Sequence, residues 1–484
     1  MSDVDIDVDV LVIGSGAAGL CAALTAADDG ARVLVAESET VVGGSSRLSG
    51  GVVMGCDSSV QRAAGIVDDA ETMFREYMAL NQWQVVAGPV RRLVDESGTT
   101  IDWLAARGVP FEDRLIFGGD ESQPRSHVAT GRGQAIIDAL HHRCRAQGVD
   151  IALGQRVDRL VVDDGRVVGA AVGSDVLLAG AVVLATGGFG ANPERLQTLF
   201  PSAWHEGWTW YIGADGSRGD ALELARPLGS VVVGHDRGLR TLDPHFQREN
   251  EAILPGWLVI VDRDGRRFMD ESAPYGLVDA MVRRAGDIAF VILDDAAVHP
   301  TGEQVEFYRT RYKQAWPGMA PFQPRNWKAD VIDAMVSERR IACHPTLEAV
   351  AEELGLDQIA LTGTIRRYNR FAAEGEDRDF AKKGSFLAPV ATPPFYGAAV
   401  RPTVVNVTAA GLRIDSDARV VSIDGGEIPG LFAAGECTGG MIAVYMGSGN
   451  ALGNATTMGR VAGRSASAYA LDRRDAFGPT GGAL

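Results

Sequence analysis

The stretch from Val8 to Glu37 constrains this chain more than any other: VDVLVIG, then GSGAAG opening an alanine-rich segment, then RVLVAE. The two apolar, β-branched runs predict strands and the segment between them a helix, the unit from which parallel sheets are built. Gly14, Gly16 and Gly19 stand at the helix entry, where a backbone without Cβ atoms lets a pyrophosphate reach the helix N-terminus. Ala17 and Ala18, between the last two glycines, are small as well. Glu37 ends the second strand, where a carboxylate accepts hydrogen bonds from ribose hydroxyls. Together these features predict a dinucleotide-binding α/β fold.

At 484 residues the chain exceeds a typical domain, so two domains are expected. Arg156 to Val172 reads as two strands about Asp164-Gly165, a hairpin signal, and Ala181 to Gly190 as a buried strand running into a glycine turn. From about residue 232 Pro, Trp and charged residues interrupt shorter periodic segments such as DVIDAMVSERRI and LEAVAEELGL. Past Pro393 and Pro394 the glycine-rich, β-branched texture returns and ends in a helical stretch, NALGNATTMGRVAGRSASAYAL. The predicted organisation is a discontinuous Rossmann-like domain, 1–231 and 396–484, around an inserted α+β cap or catalytic domain, 232–395. The tail FGPTGGAL is read as frayed.

A net charge of −17, from 46 basic and 63 acidic residues, opposes broad affinity for nucleic acid or anionic membrane. Nowhere do eighteen apolar residues stand together and the start has no basic n-region, so no integral membrane segment and a cytoplasmic location are expected. Cys21, Cys56, Cys144, Cys343 and Cys437 are scattered without CxxC spacing and are read as reduced thiols. Adjacent His141 and His142 fall on a predicted helix, where neighbours point apart, so no metal is expected.

Three further segments follow in order: VVGGSSRLSGG, ATGGFG and IPGLFAAGE. In this order, over nearly the whole chain, they resemble the fumarate reductase and 3-ketosteroid dehydrogenase flavoprotein superfamily. The resemblance implies an extended FAD, with Gly14 to Gly19 at the pyrophosphate and Glu37 with Ser38 at the adenosine ribose. Ser45 and Ser46 would lie beside the phosphates, flanked by Gly44, Gly50 and Gly51, and Glu436 with Gly435 at the ribityl chain. Val157, Ala185, Thr186, Gly187, Gly188, Asp220, Asn450, Ala451 and Leu452 are also expected along the cofactor. Relatives with covalent FAD use a histidine in the segment matching GGSSRLSGG, which has none here, so non-covalent FAD is implied.

The resemblance also separates two chemistries. Where fumarate reductases carry arginine after an RFxNE run, this chain has Tyr275 closing RRFMDESAPY; it has Asn406 where they have histidine, and Ala451 in NALG where they have a second arginine. A dicarboxylate would lack its cationic anchors. The replacements are similar to 3-ketosteroid dehydrogenases, which implies that the Tyr445 hydroxyl and Gly449 N–H of YMGSG hold a ketone oxygen while Tyr275 takes the neighbouring proton. Ser448 adds a hydroxyl in the Δ4-type manner. Relatives of the Δ1 type use another tyrosine in the segment matching Phe111 to Glu121, where the nearest aromatic here is Phe117.

The expected function is therefore FAD-dependent α,β-dehydrogenation of a cyclic ketone, either a 3-ketosteroid or a smaller cyclohexanone-like molecule, with an external electron acceptor such as a quinone, dye or oxygen. The same machinery run backwards is an ene-reductase, and a non-catalytic flavin-binding protein is the third reading. Trp204, Trp208, Trp210, Tyr211 and Trp257 are candidate walls for a ring, with core packing the alternative. Arg125 and His127 are read as surface or domain-interface residues.

Overall fold

Val10, Leu11, Val12 and Ile13 are all buried in the strand Val8–Ile13. A strand apolar at successive positions needs both faces covered, as in a parallel sheet. Val10 pairs with Val33 of Val33–Ala36 on one side and with Ala181 of Asp175–Leu184 on the other, both parallel. Asp150–Ala152 extends the sheet past Val33–Ala36, and Glu427–Ala433 extends it past Asp175–Leu184, again parallel. The sheet begun at residue 8 is thus completed by a strand more than 400 residues later. Arg159–Asp163 and Arg166–Val172 form the expected hairpin, with Asp164 at φ 47° and Gly165 at φ 72°. Two successive left-handed residues make the turn that Asp-Gly favours.

The helix Ala17–Asp28 crosses the C-terminal helix Asn450–Ala476 at bare backbone. A Cβ on Gly459 would stand 2.4 Å from the Ala18 carbonyl oxygen, and one on Gly463 2.3 Å from that of Ala22. Residues four apart share a helix face, so these two glycines let the helices touch along one line.

The computed structural model describes residues 7–250, 254–311 and 325–476, and it divides into two compact units. Met1–Pro201, Gly213–Leu239 and Asn406–Leu484 make up the unit with the parallel sheet; Ser202–Ile212 and Arg240–Val405 make up the other. In the second unit Val259–Val261, Ala289–Asp294 and Phe395–Thr408 run antiparallel in that order. Ala342–His344 pairs with the start of the long strand, and Trp210–Tyr211 runs parallel to residues near its end.

Alternate residues of a strand face opposite ways. Val259, Val261, Phe290 and Ile292 accordingly pack with Ile365 and Tyr368 of the helix Gln358–Glu374. Ile260, Val291 and Leu293 pack with Val278 and Val282 of Tyr275–Arg284 and with Ile332 of Ala329–Ser337. The sheet is covered on both faces, as its continuous apolar runs require. Trp257 belongs to this second cluster, edge-on to Tyr308 at 5.7 Å, so it is a core residue and no pocket wall.

All five cysteines are free thiols. Among the described residues no cluster could hold a metal ion and no helix is long and apolar enough to cross a membrane. The tail FGPTGGAL lies outside the described residues.

Candidate active site

At the helix entry the three glycines do different work. Gly14 has φ 107° and its Cβ would lie 2.3 Å from the Ala185 carbonyl oxygen, while a Cβ on Gly19 would lie 1.9 Å from the Gly14 carbonyl oxygen. Both are demanded by the chain's own packing. Gly16, the N-cap, meets nothing closer than the Ser46 hydroxyl at 3.6 Å, so open space faces it. Gly16 itself supplies no side-chain cap and the first turn has no acidic residue, which leaves the helix's positive end favourable to an anion.

Ser46 Oγ accepts the Ala17 N–H at 3.1 Å. Ser45 Oγ accepts the Ala214 N–H at 3.0 Å and lies 3.1 Å from Ser217 Oγ. Gly44 (φ 46°) faces open space, and Gly51 (φ 70°) lies against Arg132, where a Cβ would come within 2.3 Å of its carbonyl carbon. Gly50 beside it is partly exposed. Glu37 is buried and its carboxylate accepts the Ser15 N–H at 2.8 Å, the Ser15 hydroxyl at 2.5 Å and the Glu39 N–H at 2.9 Å, with the Ser38 hydroxyl at 3.2 Å. Its brace on the glycine loop through Ser15 was not foreseen from sequence.

Further along the sheet, Ala185 N–H donates to the Ile13 carbonyl, Thr186 Oγ1 accepts the Ala221 N–H, and Gly187 (φ 71°) faces the Ser217 hydroxyl. Asp220 pairs with Arg156 at 2.5 Å, and Val157 next to that arginine is buried. Gly188 meets Thr408 and Glu436: its Cβ would stand 2.1 Å from Thr408 Oγ1 and 2.3 Å from Glu436 Oε1. That carboxylate oxygen accepts the Thr408 N–H and hydroxyl, both at 2.8 Å. Burial raises the Glu436 carboxyl above its usual range, and the Thr408 bonds oppose the rise.

Glu436, Thr408, Val407, Met441, Ala451 and Asn454 line a pocket, and Asn454 Oδ1 is buried there without a hydrogen-bond partner. A buried amide oxygen left unmet is costly and marks a place where a ligand donates. The open N-cap, the carboxylates of Glu37 and Glu436 and this orphaned oxygen fit FAD. Gly435 (φ 80°) lies against Ala18, and Leu452 is buried two residues before Asn454.

Tyr445 lies in the loop that leads into the C-terminal helix, and its hydroxyl oxygen accepts the Ala451 N–H at 3.2 Å. Burial pushes this phenol up to about 12, with the Ala451 N–H pulling the other way. The loop is held from one side by the helix Ala70–Leu80 and its cap: Tyr77 donates to the Met441 carbonyl at 2.8 Å, and Asn81 Oδ1 accepts the Ala443 and Val444 N–H groups. Asn450 Nδ2 donates to the Tyr77 hydroxyl at 3.0 Å. On its other side lies the segment Phe111 to Glu121, with Gly119 bridging to Gly447 and Ser448 N–H donating to the Gly118 carbonyl at 2.9 Å. Phe117 itself is exposed.

Tyr275, which closes RRFMDESAPY, is the first residue of the helix Tyr275–Arg284, behind Pro274. Pro274 cannot donate and sits naturally at such a start. The preceding turn is anchored by buried charge, with Arg267 reaching Glu271 at 2.7 Å and Asp377 at 2.8 Å, and Lys382 reaching Glu271 at 3.3 Å. In the same unit Trp208 stacks on His245 at 4.8 Å, and Trp210 donates to Asp243 at 3.0 Å.

Arg125 and His127 are not surface residues, because both are fully buried. Arg125 is ion-paired with Asp68 at 2.7 Å and with Glu76. His127 Nδ1 donates to the Arg125 carbonyl at 2.9 Å, leaving Nε2 to accept the Ser58 hydroxyl at 2.7 Å. The hold of Tyr77 and Asn81 on this loop, and the bond of Ser58 to His127, carried no signal in sequence, since those partners lie scores or hundreds of residues away.

A family model described as an FAD binding domain matches residues 9–452. The chain is 30% identical to a fumarate reductase (cytochrome) of Shewanella frigidimarina, over 96% of this chain and 77% of that one. It is 29% identical to a vinyl phenol reductase of Lactiplantibacillus plantarum, over 95% and 96%. Among solved structures it resembles the 3-ketosteroid-Δ4-(5α)-dehydrogenase of Rhodococcus jostii RHA1, at 27% identity and a TM-score of 0.77 over 96% and 98% of the two chains. The sequence relatives are named as reductases and the structural one as a dehydrogenase, so the likeness supports the superfamily without selecting the ketosteroid branch. The chain belongs to the FAD-binding-domain family of succinate dehydrogenase and fumarate reductase type, and is an FAD-dependent oxidoreductase acting on carbon–carbon bonds.

Proposed function

We propose that the protein introduces a double bond next to the carbonyl of a cyclic ketone, with a 3-ketosteroid or a cyclohexanone-like ring as substrate. The observation that carries this reading is the buried Tyr445 hydroxyl, held at 3.2 Å by the Ala451 N–H. With its pKa pushed up to about 12 it stays protonated near neutrality, so it serves as a hydrogen-bond donor and never as the base. Accepting an N–H at the oxygen polarises the phenol's O–H, which suits an oxygen gaining negative charge. Gly449 N–H is assigned as the second donor; one such donor is worth about 3 kcal/mol of transition-state stabilisation.

Tyr275 is assigned the proton of the carbon next to the ketone. It opens the helix Tyr275–Arg284, whose first turn has no acidic residue. FAD, when bound, supplies the acceptor for the β-hydrogen and its electron pair. The cofactor is read as non-covalent and its electrons as leaving to a quinone, dye or oxygen. Neither Tyr445 nor Tyr275 gives a dicarboxylate a cation to bind.

Anaerobic mixing of the holoenzyme with 3-ketosteroids and substituted cyclohexanones should bleach the flavin, and fumarate or succinate should not change it. Silence with every cyclic ketone overturns the reading. The names of the sequence relatives favour a second reading, in which the same residues saturate an enone. Turnover of ketone with an artificial oxidant, compared with turnover of enone with a chemical reductant, separates the two directions.

A further inference from the structure

We infer that Ser126 and Glu121 are positioning residues for the Gly449 N–H, because together they fix the plane of the Ser448–Gly449 peptide. This rests on the reading that Gly449 N–H meets a ketone oxygen. Ser126 Oγ donates to the Ser448 carbonyl at 2.6 Å, and Ser448 N–H donates to the Gly118 carbonyl at 2.9 Å. A trans peptide points its C=O and N–H in opposite directions, so anchoring the Ser448 oxygen aims the Gly449 N–H away from Ser126. Without that anchor the plane is free to rotate and the donor to turn away.

The anchor is itself braced. Ile116 and Ser126 exchange hydrogen bonds at 3.2 Å, closing a hairpin whose turn carries Glu121. The Glu121 carboxylate accepts the Gly118 N–H at 2.6 Å and the Gly119 N–H at 2.7 Å. Those glycines have no slack: a Cβ on Gly119 would lie 1.9 Å from the Met446 carbonyl oxygen and one on Gly118 2.5 Å from that of Ser448. From behind, Met54 N–H donates to the Gly449 carbonyl at 3.1 Å, and Met54 pairs with Ser126 in the small sheet Val52–Met54 with Ser126–Val128. Any shift of the hairpin therefore moves the loop.

Glu121 also makes the brace sensitive to protons. Burial raises its carboxyl to about 6, opposed by the two glycine N–H groups and by Arg125, the charged group acting on it, which is itself paired with Asp68 and Glu76. Ionised, the carboxylate accepts both N–H groups fully; protonated, it gives up part of that capacity.

The test uses the FAD-loaded enzyme and para-substituted phenols, which as bound phenolates mimic an enolate and are read by a charge-transfer band with the flavin. Ser126→Ala should weaken phenolate binding and lower kcat by about tenfold each, the worth of one hydrogen bond, with FAD content unchanged. Ser126→Thr should restore both. In the wild type kcat should show an inflection near pH 6, separate from the limb set by the Tyr275 base, and Glu121→Gln should remove that inflection. A wild type that binds phenolates and oxidises ketones, with Ser126→Ala and Glu121→Gln indistinguishable from it, overturns the inference and leaves the function standing. A wild type inert toward both phenols and cyclic ketones overturns the two together.

Discussion

Tyr77 and Asn450 meet through a 3.0 Å hydrogen bond between buried side chains, and the same Tyr77 hydroxyl donates to the Met441 carbonyl. One phenol thus ties both ends of the loop that carries Tyr445. Tyr77→Phe leaves the Asn450 amide and the Met441 carbonyl unmet, each costing about 1–3 kcal/mol when buried. Hydrogen exchange at residues 441–450 should accelerate and Tm should fall, with the parallel sheet's protection unchanged.

Tyr445→Phe takes the acceptor from the Ala451 N–H, but Tyr77 and Asn81 still hold the loop, so it should keep its fold at some cost in stability. Losing one oxyanion donor lowers kcat by about a hundredfold or more. Stopped-flow reduction of the flavin by ketone should slow by that factor with FAD content intact; an unchanged rate would remove Tyr445 from the chemistry.

Gly188→Ala places a methyl against the Thr408 and Glu436 oxygens, at separations no real Cβ shows. The variant should fold with weakened FAD retention, measurable as a rise in free flavin fluorescence on dilution. Gly459→Ala, by contrast, wedges the two helices apart at the Ala18 carbonyl, and overpacking of this kind costs about 1–3 kcal/mol, read as a lower urea midpoint.

His127 is neutral in the fold, its pKa lowered to about 4 by burial. In the unfolded chain it titrates near 6.5, so between those values the unfolded state binds more protons and acid favours unfolding. Stability from this residue is complete above pH 6.5 and falls as pH drops toward 4, by about 3 kcal/mol in all. Urea midpoints across this range should drop less for His127→Asn than for the wild type.

The glycine loop, the Asp-Gly hairpin and the return of the sheet near the C-terminus were legible because each is a local pattern with a local cause. Trp257 stayed open between pocket wall and core packing because an aromatic before a strand has the same spelling in both; the sheet's covered faces decide for the core. Arg125 and His127 were read as surface or domain-interface residues, and the surface half of that reading fails because their burial depends on Asp68, Glu76 and Ser58, which no periodicity connects to them. Tyr275 was identified as a residue but not as a helix start, since Pro274 ends an extended run and opens a helix equally well.

The line of contact at Gly459 and Gly463 gives the C-terminal helix a second task. With 1.5 Å of rise per residue, about 12 Å separate Ala451 from Gly459, so one rigid rod spaces the donor beneath Tyr445 from the helix that opens at the glycine loop. Point substitutions between them leave that spacing untouched. A single inserted residue would turn the first helical turn by about 100° relative to the glycine face and swing the Ala451 N–H off the phenol. The segment from 451 to 459 should therefore refuse changes of length even at positions that accept a change of identity.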